Sequence, residues 1–282
     1  MGALLQAAAL QLRNFTPQGL ANMTWALATL GHVNAVFMGV LVQVARPQLR
    51  NFTPQNLTNT LWALATLGHV DAVFVHELVQ AATPQLCNFT PHHLANMAWA
   101  LATLDEQNAA CVGALIEHAA ASTVDFTMPE LRQLFQFVLW LKTWLVAMPV
   151  LPWLLAACKQ TWLQKAGSTT VSHTQLQVLD AIRQLPGCSG ASSEHLTDNG
   201  LFSINIAVQL PGRKKLAVEV DGPTHFLSTA PTMRNDATRL HNRLLEARGW
   251  RVVSVPVIDW RVQVAKGGLA LREYLNGLGV CG

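Results

Sequence analysis

Glu219 and Asp221 are the residues of this chain best spaced for chemistry. They close the run Leu216-Ala217-Val218-Glu219-Val220-Asp221, whose apolar, β-branched character predicts a short buried strand over Leu216–Val220. Residues two apart on an extended chain share a face, so both carboxylates project from one side of the strand, at its C-terminal edge. Carboxylates so placed are the oxygen donors that a hard divalent cation takes. Gly222-Pro223 breaks the strand, and His225 follows in the turn. A histidine standing alone there is more often a turn or packing residue than a ligand. Cations flank the acids in sequence: Arg213, Lys214 and Lys215 before the strand, Arg234, Arg239 and Arg243 after it. Those residue types neutralise nucleic-acid phosphates.

The elements that position these groups follow from periodicity. Leu240, Leu244 and Leu245 fall at helical spacing between Asp236 and Arg248, with Arg239, His241, Arg243 and Arg248 around them and Gly249 as the stop. A second strand is expected over Trp250–Val255. Strand, basic helix and strand form a βαβ-like unit, which implies a parallel pair. Upstream, His173–Leu185 reads as a helix of the same C-terminal fold. Gly187–Gly200 reads as a Ser/Gly-rich loop, a boundary or a lid.

The N-terminal half is repetitive. RNFTPQGLANMTWALATLGHV at Arg13 returns as RNFTPQNLTNTLWALATLGHV at Arg50 and CNFTPHHLANMAWALATLDEQ at Cys87, a period of 37 residues. A degraded fourth copy starts at Phe126, with Gln136 where the tryptophan would stand. In each unit Thr-Pro reads as N-cap and first helical position, and Gly31 and its equivalents as the stop. A second helix completes the unit and ends near Pro47. Such helix pairs cannot bury their apolar faces alone, so stacking into an α-solenoid is expected. The division predicted is a repeat region over 1–148 (partial repeat 1–13; repeats 14–50, 51–87 and 88–124; degraded repeat 125–148), a helical connector with its Ser/Gly loop over 149–200, and a small α/β domain over 201–282. Because Met1–Asn14 aligns with Met38–Asn51, the chain begins half-way through a repeat, and an N-terminally shortened sequence without its targeting peptide is the expectation.

Composition sets outer bounds. With 51% hydrophobic and 12% charged residues over 282 positions, the chain is globular rather than disordered. Its five cysteines lie far apart with no CxxC, so neither a disulfide framework nor a structural zinc site is indicated. The apolar stretch Leu134–Leu163 is interrupted by Lys142, Pro149 and Pro152, and reads as buried helices, not as a membrane span. Charge is uneven: five basic and seven acidic residues through Val150, a net of −2, against eleven and six from Leu201 onward, a net of +5.

The run EVDGPTHF, the helix ATRLHNRLLEARGW and the strand VVSVPVIDW together resemble a RAP domain, over Asn205 to Tyr274. The WALATLG unit resembles the octotricopeptide and heptatricopeptide repeats that precede RAP domains in organellar RNA-processing proteins, including the FAST kinase domain-like family. The resemblance implies a restriction-endonuclease-like C-terminal fold and an organellar location, mitochondrion or chloroplast. Its partners would be single-stranded organellar RNA and other RNA-processing proteins, with no DNA and no membrane. The implied role is processing, stability or translation of mRNA or rRNA. No Gly-rich ATP loop or HRD motif is present, so kinase activity is not indicated.

The resemblance also places a third donor. Related nucleases carry an aspartate on the strand before the acid pair, and this chain has Asn205 there; where they carry a lysine two residues after the glutamate, it has Asp221. A Mg²⁺ site of Asn205, Glu219 and Asp221 is therefore depleted, and a binding protein is preferred over a metal-dependent endoribonuclease. A protein-interaction scaffold is the third reading. In modular helical readers each repeat addresses about one base. The varying position Gly19/Asn56/His93 is the candidate for readout, hence Asn56 and His93. Asn22, Asn59 and Asn96 are expected to form a ladder between repeats, and Trp25, Trp62 and Trp99 to be core.

Overall fold

Each repeat starts where a threonine oxygen can take up a helical N–H. Thr16, Thr53 and Thr90 accept from the N–H of Gly19, Asn56 and His93 at 3.2, 3.3 and 3.4 Å, with proline in the following position. The helices so started are α1 (Pro17–Thr29), α3 (Pro54–Leu67) and α5 (Pro91–Leu104). The computed structural model describes residues 11–68, 71–122, 126–144, 152–166, 171–197, 200–210, 212, 214–227 and 230–280. It divides into two units, Met1–Thr161 with Leu227–Ala237 and Trp162–Phe226 with Thr238–Gly282.

In the first unit the helix ends are as regular as the starts. Gly31 and Gly68 take φ of 60° and 64°, the left-handed stop that glycine adopts without strain. Asp105 occupies the third stop at φ 58°, and its carboxylate accepts the indole N–H of Trp140 at 2.6 Å. The second helices, α2 (Ala35–Ala45), α4 (Ala72–Ala82) and α6 (Ala109–Ala121), are capped by Asn34, Asp71 and Asn108, again 37 residues apart. This second set of caps stands in the sequence as Asx three residues before Phe37, Phe74 and Cys111. Short 3₁₀ turns, Arg46–Asn51 and Thr83–Asn88, lead to the next repeat. Leu20, Leu57 and Leu94, with Leu27, Leu64 and Leu101, form the core of the first helices. The first helices pack side by side, α1 on α3, α3 on α5, and α5 on α7 (Met128–Trp144). Helix α8 (Pro152–Ala166) follows. Among the described residues no helix is long and apolar enough to cross a membrane.

The second unit is a mixed sheet. After α9 (His173–Arg183) come β1 (Ser192–Leu196), β2 (Ser203–Leu210) and β3 (Lys214–Asp221). Between β3 and α10 (Asp236–Glu246) the chain forms a separate pair, β4 (Phe226–Leu227) and β5 (Ala230–Arg234), with Leu227–Ala237 falling in the first unit, and β6 (Trp250–Pro256), α11 (Val257–Lys266) and α12 (Gly268–Gly277) complete the second. The order is β1-β2-β3-β6, antiparallel twice and then parallel between β3 and β6. The parallel pair expected around the basic helix is thus present. The Ser/Gly-rich stretch differs from expectation, because it contains β1. Ser192, Ser193, His195 and Leu196 pair with Ala207, Ile206, Ile204 and Ser203, and an edge strand needs only backbone pairing, which polar side chains permit. One face of the sheet packs Ile206, Val208, Leu216 and Val218 against Val178 and Ile182 of α9, Trp260 of α11 and Leu275 of α12. Glu219 and Asp221, one residue out of phase with Val218, point to the opposite face. The repeats followed by a small α/β unit match the architecture expected.

Candidate nucleic-acid interface

Strand register assembles the acid site. Ser254 on β6 is the partner of Glu219 on β3, so its hydroxyl lies on the acids' face, where it donates to Asp221 Oδ2. Asp221 Oδ1 stands 3.0 Å from His225 Nδ1, and Thr238 Oγ1 lies 3.3 Å from the same ring nitrogen. His241 reaches in from α10 and brings its Nε2 to 3.6 Å from Glu219 Oε1. Phe202 packs edge-on to His241 and lies under the Arg248 guanidinium, at ring distances of 5.6 and 4.9 Å. The hydrogen bond to Asp221 raises the His225 pKa against the opposing effect of burial, and the charges of Asp221 and Glu219 raise it further. Burial lowers that of Arg248.

The two carboxylates are not offered to solvent. Asp221 is 1% exposed and Glu219 8%. Asn205, the third member of the expected set, is spent as well, since its Oδ1 accepts the Val220 N–H at 2.9 Å. It supplies a side-chain bond from β2 to the backbone of β3 beyond Val218, the last residue of the β2–β3 register. Mg²⁺ takes about six oxygens in near-octahedral geometry. Of the donor atoms of Asn205, Glu219 and Asp221 described above, Glu219 Oε1 is the one without a hydrogen-bond partner. Among the described residues no group of three or more His, Cys, Asp or Glu side chains could hold a metal ion. As arranged here the set does not fit Mg²⁺: Asp221 is bonded to Ser254 and His225, Asn205 to the Val220 N–H, and Glu219 stands beside His241.

The basic residues separate by environment. Lys214 and Arg239 are exposed, and Arg243 is half-buried. Lys215 is half-buried with its ammonium 5.4 Å above the Trp250 ring. Arg213 lies outside the described residues, as does the side chain of Arg234. Arg251, Arg261, Lys266 and Arg272 are exposed too. The C-terminal charge excess carried that signal, but no motif singled them out.

In the repeats the expected readout position supplies the backbone N–H that the threonine cap accepts. Gly19, Asn56 and His93 are the third residues of their helices. Asn56 is 6% exposed, and His93 completes a capping box by accepting the Thr90 N–H at its Nδ1, at 3.3 Å. Glu130, at the same position of the fourth copy, accepts the Thr127 N–H at 2.8 Å. Many groups satisfy or tolerate a helix start, which is a physical reason for the side chain to vary there besides the readout expected of Asn56 and His93. Of the three asparagines expected to form a ladder, Asn96 bonds across to the next helix, its Oδ1 accepting from Gln133 Nε2 at 3.1 Å. Asn22 is exposed and Asn59 half-buried. Nor are the tryptophans uniformly core: Trp25 is 45% exposed, Trp62 half-buried, and Trp99 8% exposed.

Comparison with known families separates the same two parts. Residues 218–277 match the RAP domain. The chain carries a RAP domain. Residues 1–124 match the Tbc2 translation factor, N-terminal domain. The RAP match points to RNA binding, and Glu219, Asp221, His225, His241 and Ser254 all fall within it.

Proposed function

We propose that this chain is an organellar RNA-binding protein of the octotricopeptide-repeat and FAST kinase domain-like kind, acting in mRNA or rRNA processing, stability or translation. Its repeats select single-stranded RNA, and the RAP-containing unit, restriction-endonuclease-like in its mixed sheet, adds phosphate contacts. Lys214 and Arg239 make those contacts with Arg213, Lys215, Arg234 and Arg243. Mitochondrion or chloroplast is the proposed location, and other RNA-processing proteins are the proposed partners. The observation that carries the reading is the division of charge within the RAP-containing unit. Its central acids are buried and paired, while its surface holds exposed cations and the sequence from Leu201 has a net charge of +5. Such a surface attracts phosphate.

A mobility-shift assay on labelled single-stranded RNA, at two salt concentrations and with either Mg²⁺ or EDTA, tests this. RNA shifted intact in both buffers, with affinity falling as salt rises, is the expected result. Discrete fragments in Mg²⁺ that vanish with Glu219→Ala/Asp221→Ala would establish the endoribonuclease instead. Absence of any salt-dependent binding would leave the interaction scaffold.

A further inference from the structure

Helix α3, packed between α1 and α5, shows which side chains the stack leaves open. Gln55 is exposed and Asn59, Trp62 and Thr66 are half-buried, whereas Leu57, Thr58, Thr60, Leu61, Ala63, Leu64, Ala65 and Leu67 are buried. The open positions are spaced by four, three and four residues, which is one face of a helix. Helix α1 opens the corresponding face, with Gln18, Asn22, Trp25 and Thr29 all exposed. The equivalent residues of α5 are His92, Asn96, Trp99 and Thr103. Four rows thus run across the repeats: Gln/Gln/His, Asn/Asn/Asn, Trp/Trp/Trp and Thr/Thr/Thr. Neighbouring Trp62 and Trp99 rings stand 6.4 Å apart and 37° out of parallel.

The third step is closed from the C-terminal side. His92 Nδ1 lies 3.1 Å from Glu130 Oε1, its Nε2 lies 3.0 Å from Asn96 Nδ2, and Gln133 takes the Asn96 oxygen. The degraded copy, with Gln136 in place of tryptophan, ends the array. Two steps stay open, Gln18/Asn22/Trp25 and Gln55/Asn59/Trp62.

We infer that these two steps are the base-reading positions of the repeat unit: the indoles stack on bases of single-stranded RNA, and the Gln and Asn amides bond base edges. This deepens the RNA-binding reading and rests on it. The open positions hold an aromatic plane and two primary amides per repeat and no formal charge, which suits the faces and edges of bases and not phosphates. They recur at a fixed step, which matches a polymer whose planar groups also recur. Gln18 and Gln55 therefore set specificity, one residue before the position where the side chains vary most.

The full-length protein is used to select binders from a random single-stranded RNA pool, and affinity for the selected RNA is measured by fluorescence anisotropy. Trp25→Ala, at an exposed site, is expected to weaken binding about 5- to 100-fold, the range of one lost base stack. Gln55→Ala is expected to relax preference at one nucleotide in a repeated selection, with the salt dependence unchanged. Gln18→Glu serves as a second variant at an exposed site, and circular dichroism confirms the fold of each. If the wild-type protein binds RNA but Trp25→Ala and Gln55→Ala keep its affinity and selected sequence, the inference is overturned while the RNA-binding function stands. If the wild-type protein selects no RNA, both fall together.

Discussion

The repeat unit and the RAP-containing unit solve one problem, a polar group in a low-dielectric interior, in two ways. In the repeats the pairing that recurs is local, Thr53 to the N–H of Asn56, Asp71 to that of Phe74, Thr60 to the carbonyl of Asn56, all within four residues, with bonds such as Gln133 to Asn96 and Trp140 to Asp105 added between units. In the RAP-containing unit it is distant, with Asp221 meeting Ser254 33 residues away and Asn205 meeting Val220 15 away. Local pairing can be copied with the repeat and leaves one face free for a ligand. Distant pairing exists only once the sheet has formed, and it consumes the residues that resembled a catalytic site.

The largest expected effect breaks the distant kind. Asp221→Ala leaves the Ser254 hydroxyl and His225 without their buried partner and should lower unfolding free energy by about 3 kcal/mol in denaturant titrations. Retention of full stability would mean the cluster is open enough for water to replace the carboxylate. Thr53→Ala, which removes one local cap, should cost about 1 kcal/mol by the same measurement. A cost equal to that of Asp221→Ala would erase the distinction. Glu130 sharpens it through pH. Burial would raise its pKa, but the Thr127 N–H and His92 outweigh burial and hold it below the ordinary 4.5. Because the folded value is depressed, its stabilisation is present above pH 4.5 and lost as pH falls through the lower folded value. Thermal melts between pH 5 and 3 should show a shallower acid slope for Glu130→Gln, the smallest effect of the three.

Much of the repeat unit was legible because its determinants are periodic and near in sequence. Thr-Pro starts, Gly31 and Gly68 stops and the leucine rows all announce themselves at 37-residue spacing. The same periodicity drew out Asn56 and His93 as readout candidates. Variation at a position signals tolerance, and a helix cap is tolerant, so variation alone does not separate a cap from a reader. The fate of Trp25, Trp62 and Trp99 was hidden because an apolar run of small and large residues does not say which side of a helix its neighbours cover. Strand β1 was hidden in a Ser/Gly-rich stretch because an edge strand is held by backbone pairing that leaves little trace in side-chain pattern.

By itself the sequence determined the repeat, its period, the helix boundaries, and a βαβ unit with two acids on one strand face. Those follow from interactions spanning about one helical turn or from strict alternation. Only the tertiary structure decided that Asp221 pairs with Ser254, that Asn205 bonds the neighbouring strand, and that Gln55, Asn59 and Trp62 stay open while Asn56 is covered. Each of those depends on which distant segment arrives opposite, and in a packed interior a shift of one residue turns a side chain from one face to the other.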